Sequence, residues 1–142
     1  MKNAYLDALC RADQDVNPLF NFLGARLREA ADGKAVIEMP VSAQLIQGGG
    51  AVAGGILATL ADESMAHAVI SILGEDCRTV TAEMNIRYLR GVDPQHKGSL
   101  RGTARVVKAG RSIITTEAEV HDAAGRLVAT AGGSFLVIQA VS

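Results

Sequence analysis

Apolar and polar residues alternate through the second half of the chain with the two-residue period of half-buried strands. In residues 79–90, Val80, Ala82, Met84, Ile86 and Tyr88 interleave with Thr81, Glu83, Asn85 and Arg87, which predicts one buried and one polar face. Leu100, Gly102, Ala104 and Val106 repeat the pattern. Lys108-Ala109-Gly110-Arg111 then turns the chain into a strand over 112–121, and Ala123-Ala124-Gly125 turns it into another over 126–138. Earlier, 22–30 and 34–39 read as extended segments joined by an Ala31-Asp32-Gly33 hairpin turn. Residues 2–14 predict a short amphipathic helix, in an N-terminal helical segment 1–16 that ends before Asn17 and Pro18. A longer helix is expected over 54–73, stopped by Gly74. Long strands, short turns and one early apolar helix predict an α+β fold, a curved antiparallel sheet wrapped around a central helix, in a single domain 1–142.

The entry to that helix carries the candidate chemistry. Gly48, Gly49, Gly50, Gly54 and Gly55 lead straight into it. The first amides of a helix have no carbonyl partner and sit at the positive end of its dipole, and glycines let a ligand oxygen come close. Such a place can polarise a carbonyl. At about 100° per residue, Ala58, Ala61, Met65, Ala68, Val69, Ile72 and Leu73 fall on one arc, and Asp62 projects from within it. Glu63 falls on the other side with Thr59 and His67, where Glu63 and His67 are expected to pair on the helix surface. A carboxyl group within an apolar arc is costly unless paired or used, and burial favours a base that works near neutral pH. The same position also suits a purely structural acid, bonded to a backbone N–H or to an Arg of a neighbouring strand.

Composition removes several classes. The chain has 142 residues, 49% of them hydrophobic and 20% charged, with a net charge of −1, so no global charge points to nucleic acid. With three Phe, two Tyr and no Trp it offers little for base stacking. Asp62, Glu63 and His67 interrupt the longest apolar stretch, which argues against a membrane span. The start of the chain lacks the charge order of a signal peptide, and Cys10 and Cys77 lack metal or redox spacing, so a cytoplasmic protein is expected. His67, His96 and His121 form no metal pattern, and the glycine loop lacks the Lys-Ser/Thr ending of a phosphate loop. Basic residues gather between Arg78 and Arg111, Lys97 among them, against only Glu83 and Asp93 there. Such charges on strands usually form a solvated face; Arg90, Lys108 and Arg111, near strand ends, are the candidates for a phosphate.

The run from Gln47 through Gly54-Gly55 to Asp62 resembles the signature of hotdog-fold acyl-CoA thioesterases of the phenylacetate-degradation (PaaI) type. That signature carries Asn or Gln, a short loop, His-Gly-Gly, and an acid seven residues after the second glycine. Thr81 to Arg90, Lys108-Ala109-Gly110-Arg111, and Gly125-Arg126-Leu127-Val128-Ala129 through Phe135-Leu136-Val137 extend the likeness over about residues 18–138. The resemblance implies a hotdog fold and hydrolysis of acyl-CoA to free acid and coenzyme A. Asp62 would be general base or nucleophile, the amide of Gly54, with Gly55, would hold the thioester oxygen, Gln47 would place carbonyl or water, and Thr81 would orient the water. Arg90, Lys108 and Arg111 would meet the phosphates of coenzyme A, which is substrate rather than cofactor; no metal is implied. Members assemble as homodimers or homotetramers with sites shared between subunits, which would put Asp62 and Gln47 of one site on opposite chains. One departure stands out: Ala53 occupies the place of the motif histidine. It opens a non-catalytic acyl-thioester binder as an alternative, and weakens a hotdog hydratase or dehydratase, which needs a His and acid pair.

Overall fold

The computed structural model describes residues 3–95 and 98–140, so His96 and Lys97 lie outside the described residues. The Asp32-Gly33 turn forms as its sequence predicts. Asp32 and Gly33 have φ of 52° and 79°, the paired left-handed geometry that matches the twist of a two-residue hairpin. It joins β1 (Arg26–Ala31) to β2 (Lys34–Pro40), starting from the Ala31 and Lys34 pair. The predicted meander follows as β3 (Cys77–Tyr88), β4 (Ser99–Ala109), β5 (Ile113–His121) and β6 (Leu127–Gln139). All pairings are antiparallel, in the spatial order β1-β2-β4-β5-β6-β3. The curved sheet packs against one long helix, α3 (Gly54–Ile70), which touches every strand.

Packing is closest where the helix crosses β4. Leu57, Leu60, Ala61, Met65, Ala68 and Val69 bury against Ala35, Ile37, Met39, Leu100, Ala104, Ile114 and Phe135. Gly102 lies directly under the helix: a Cβ there would overlap the Ser64 hydroxyl and stand 3.0 Å from Leu60 Cγ. The absent side chain lets helix and sheet approach at this point.

The N-terminal segment differs from expectation. Instead of one helix it forms α1 (Ala4–Leu9) and α2 (Pro18–Leu23), capped by the side chains of Asn3 and Asn17, which accept from the amides of Leu6 and Phe20. Asn17-Pro18 is a helix start, a capping residue followed by proline at the first helical position, rather than only a stop. Phe22 is therefore helical, and the strand begins at Arg26 after Gly24 caps α2 with φ 69°. The central helix also ends earlier, at Ile70; Ile72 and Leu73 amides continue in tighter three-residue turns toward Gly74.

β3 corrects the alternation inferred for it. The pairing with β6 slips between Thr81 and Glu83, and this bulge reverses the facing of the strand. Beyond it Met84 and Ile86 pack on the core as expected, whereas before it Val80 is 46% exposed and Thr81 turns toward α3. No helix among the described residues is long and apolar enough to cross a membrane.

Candidate active site

The loop before α3 is a closed turn. The Gln47 amide donates to the Ala51 carbonyl at 2.9 Å, and Gly50, with φ 91°, donates back to the Gln47 carbonyl at 2.9 Å. The Gln47 side chain accepts from the Gly49 amide, so it is folded onto its own loop. Ala53 is the N-cap and supplies no side-chain bond to the helix start. Its carbonyl takes the amides of Ile56 and Leu57, so the helix offers the amides of Gly54 and Gly55 no carbonyl. Space at Gly55 is open: no atom lies within 4 Å of where a Cβ would stand.

Tyr88 is the residue here that sequence reasoning missed. Alternation puts it on the buried face of its strand, but it is 51% exposed, and its hydroxyl donates to the Gly54 carbonyl at 2.7 Å. That carbonyl shares a peptide unit with the Gly55 amide, so Tyr88 fixes the plane of one bare donor. Only the register of β3 along α3 reveals this, because the two residues are 34 positions apart.

Asp62 lies eight residues beyond Gly54 on the same helix, half-buried. The Thr81 hydroxyl donates to its Oδ1 at 2.7 Å, and Oδ2 has no partner among the described residues. The structure thus brings Asp62 and Thr81 together through the β3 bulge. It does not bring Asp62 to the glycine amides. At about 1.5 Å rise per residue, eight residues separate the two levels by about 12 Å, too far for one carbonyl group to touch both on a single chain.

Glu63 and His67 overturn the surface pair expected of them. α1 and α2 cover that side of the helix, leaving His67 2% exposed and the Glu63 side chain 24% exposed. His67 Nδ1 lies 2.7 Å from the Glu63 backbone carbonyl, which obliges that nitrogen to be the donor. Burial also holds the His67 pKa below the usual value, outweighing that carbonyl bond. The 3.6 Å approach of Glu63 Oε2 to the same nitrogen is therefore a contact with a neutral ring rather than an ion pair. Burial, and then the charge of Asp62, push the Glu63 pKa up to about 7.

The three phosphate candidates separate. Lys108 and Arg111 sit on the exposed hairpin between β4 and β5, beside Ile113, which pairs with Leu136. Arg90 lies at the other end of the sheet, where its amide bonds to Val128. Among the described residues no group of three or more His, Cys, Asp and Glu side chains is placed to hold a metal ion. A groove of about 650 Å³ lies on the sheet face away from α3, lined by Lys34, Thr103, Arg105, Glu117, Glu119 and His121, remote from Asp62.

An antiparallel sheet wrapped around one long helix, with that helix opened by glycines at its start, defines a hotdog-fold protein. Residues 49–129 match the Thioesterase superfamily, and the chain belongs to that family. It is 30% identical over 129 residues to the "Putative esterase SSO2140" of Saccharolobus solfataricus, covering 91% of this chain and 86% of that protein. Among solved structures, the conserved protein PA5202 of Pseudomonas aeruginosa is 33% identical with a TM-score of 0.79, covering 93% of this chain and 98% of that one. The E. coli PaaI protein of the phenylacetic acid degradation operon is 25% identical with a TM-score of 0.82, and 96% of each chain is covered. Family and relatives assign the chain to thioester or ester hydrolysis.

Proposed function

We propose that this protein hydrolyses acyl-CoA thioesters to free acid and coenzyme A, with Asp62 as the catalytic carboxylate. The observation that carries this is the state of the Asp62 carboxyl: Thr81 occupies Oδ1, and Oδ2 is left for the reaction. Acting as general base, Oδ2 takes a proton from water as the water oxygen adds to the thioester carbon. Acting as nucleophile, Oδ2 adds to that carbon itself, and water cleaves the resulting anhydride. Either way the carbonyl oxygen gains negative charge, the C–S bond then breaks, and the coenzyme A thiolate leaves and is protonated. Bare amides at Gly54 and Gly55 suit that oxyanion. The route needs no cofactor beyond the coenzyme A of the substrate.

The 12 Å between those amides and Asp62 of one chain supports a shared working site, with Asp62 from one copy facing the glycine amides of another. β3, which carries Thr81, is an outer strand of the sheet with Val80 and Tyr88 exposed, as a strand covered by a second copy would be. Lys108 and Arg111 are the phosphate contacts of one chain; Arg90 joins them only across the assembly.

Incubating the wild-type protein with a panel of aliphatic and aromatic acyl-CoAs should release free coenzyme A, read by thiol reagent. A protein that binds these thioesters without releasing thiol would instead be the binder suggested by Ala53. Subunit complementation tests the shared site. Asp62→Asn and Gly54→Val chains should each be inactive alone, and co-expression should recover about a quarter of the wild-type rate, because half the dimers then hold one intact site. If the mixed protein stays inactive while wild type turns over, each chain must carry a complete site.

A further inference from the structure

Beneath the site, four residues from three helices form one directional hydrogen-bond array. Asn17 Nδ2 donates to the Tyr5 hydroxyl at 2.9 Å, and that hydroxyl lies 2.9 Å from His67 Nε2. Since His67 Nδ1–H is used on the Glu63 carbonyl, Nε2 of the neutral ring is a lone pair, and Tyr5 must be the donor. The ring is enclosed by Tyr5, with centroids 5.7 Å apart, and by Phe20 at 5.1 Å. Asn17 is also the N-cap of α2, so both N-terminal helices converge on His67, one turn from Glu63. Within the described residues no buried side-chain N or O is left without a partner.

The direction of the array matters chemically. A second proton on His67 would sit on Nε2 and face the Tyr5 oxygen, which already accepts from Asn17 and would then have no acceptor for its own hydrogen. A neutral His67 in turn gives Glu63 no counter-charge. The groups that face Glu63 are Asp62 and His67 on α3 and Tyr5 on α1, and none of them is cationic.

The geometry points to Tyr5, Asn17 and His67 as positioning residues that set the pH at which the site works: they fix the His67 ring with its hydrogen on Nδ1 and so leave Glu63, beside Asp62, without a counter-charge. The inference rests on the reading of Asp62 as the catalytic carboxylate. It makes the N-terminal helix pair part of the catalytic apparatus, setting the charge next to the reacting group rather than only covering the core. When Glu63 ionises, its charge next to Asp62 is relieved as Asp62 takes up a proton or forms a bond to carbon, so turnover should rise as Glu63 loses its proton.

Two readouts on Tyr5→Phe separate this from a structural role. Nitrogen-15 NMR should show wild-type His67 in the Nδ1–H form, and a His67 in the variant that takes up its second proton at a higher pH than in wild type. The pH profile of kcat should rise through about 7 in wild type. In Tyr5→Phe it should rise about one pH unit lower, because a protonated His67 favours ionised Glu63, and in Glu63→Gln this rise should be lost. Should Tyr5→Phe fail to fold, Asn17→Ser keeps a capping oxygen and removes only the donor to Tyr5, with the same shifts expected. An Nε2–H ring in the wild type, or kcat profiles that superimpose for all variants, would overturn the proposal. If no acyl-CoA is cleaved by the wild type, the NMR result still stands or falls alone, and the failure is that of the thioesterase reading.

Discussion

Asp62→Asn is expected to lower acyl-CoA turnover about 10²- to 10⁴-fold, with the fold intact and KM little changed. The amide nitrogen can neither take a proton from water nor attack the thioester, but the side-chain oxygen still accepts from Thr81, so the local structure keeps its hydrogen bond. Glu63→Gln is the matched control, since both changes remove one carboxyl from the same turn. Its loss at neutral pH should be smaller by at least about tenfold, because Glu63 makes no bond to the Thr81 hydroxyl and, with a pKa of about 7, is only about half ionised there. Steady-state kinetics on one good substrate, with circular dichroism to confirm folding, decides it. Equal losses in the two variants would remove Asp62 from the reaction.

Gly102→Val should destabilise the protein by about 3 kcal/mol or more, with Gly102→Ala intermediate. The first added carbon already overlaps the Ser64 hydroxyl and crowds Leu60, both on the buried side of α3, and two further methyl groups have nowhere to go. The helix must lift off β4 or the strand must bend. Thr103→Val next along β4 faces out and should change stability by no more than about 0.5 kcal/mol. Urea unfolding gives both values from the midpoint at constant slope. A Gly102→Val protein as stable as wild type would mean that the helix does not approach the sheet at this residue.

The elements governed by local rules were legible. Asp32-Gly33 dictated its turn because few residue pairs tolerate two positive φ angles, and the strands from 99 to 138 followed from alternation alone. The glycine-rich entry to α3 and the place of Asp62 along it could be read from spacing. The errors arose where a distant segment intervened. Glu63 and His67 look like a surface pair on an isolated helix, and two short helices from the start of the chain bury them. In β3 the bulge at Ala82 is invisible in a pattern that alternates on both sides of it, yet it turns Thr81 onto Asp62. Tyr88 shows the same limit, since nothing local links it to Gly54.

By itself the sequence determined the fold, the helix start with its unpartnered amides, and the place of Asp62 on that helix. These depend on turn chemistry, periodicity and position along one helix, all of which act within a few residues. Tertiary structure alone decided which atoms of that acid are free and what charge stands next to it. Those properties depend on which strand and which helices pack beside α3, and burial by distant segments, not local spacing, sets the hydrogen bonds and protonation there.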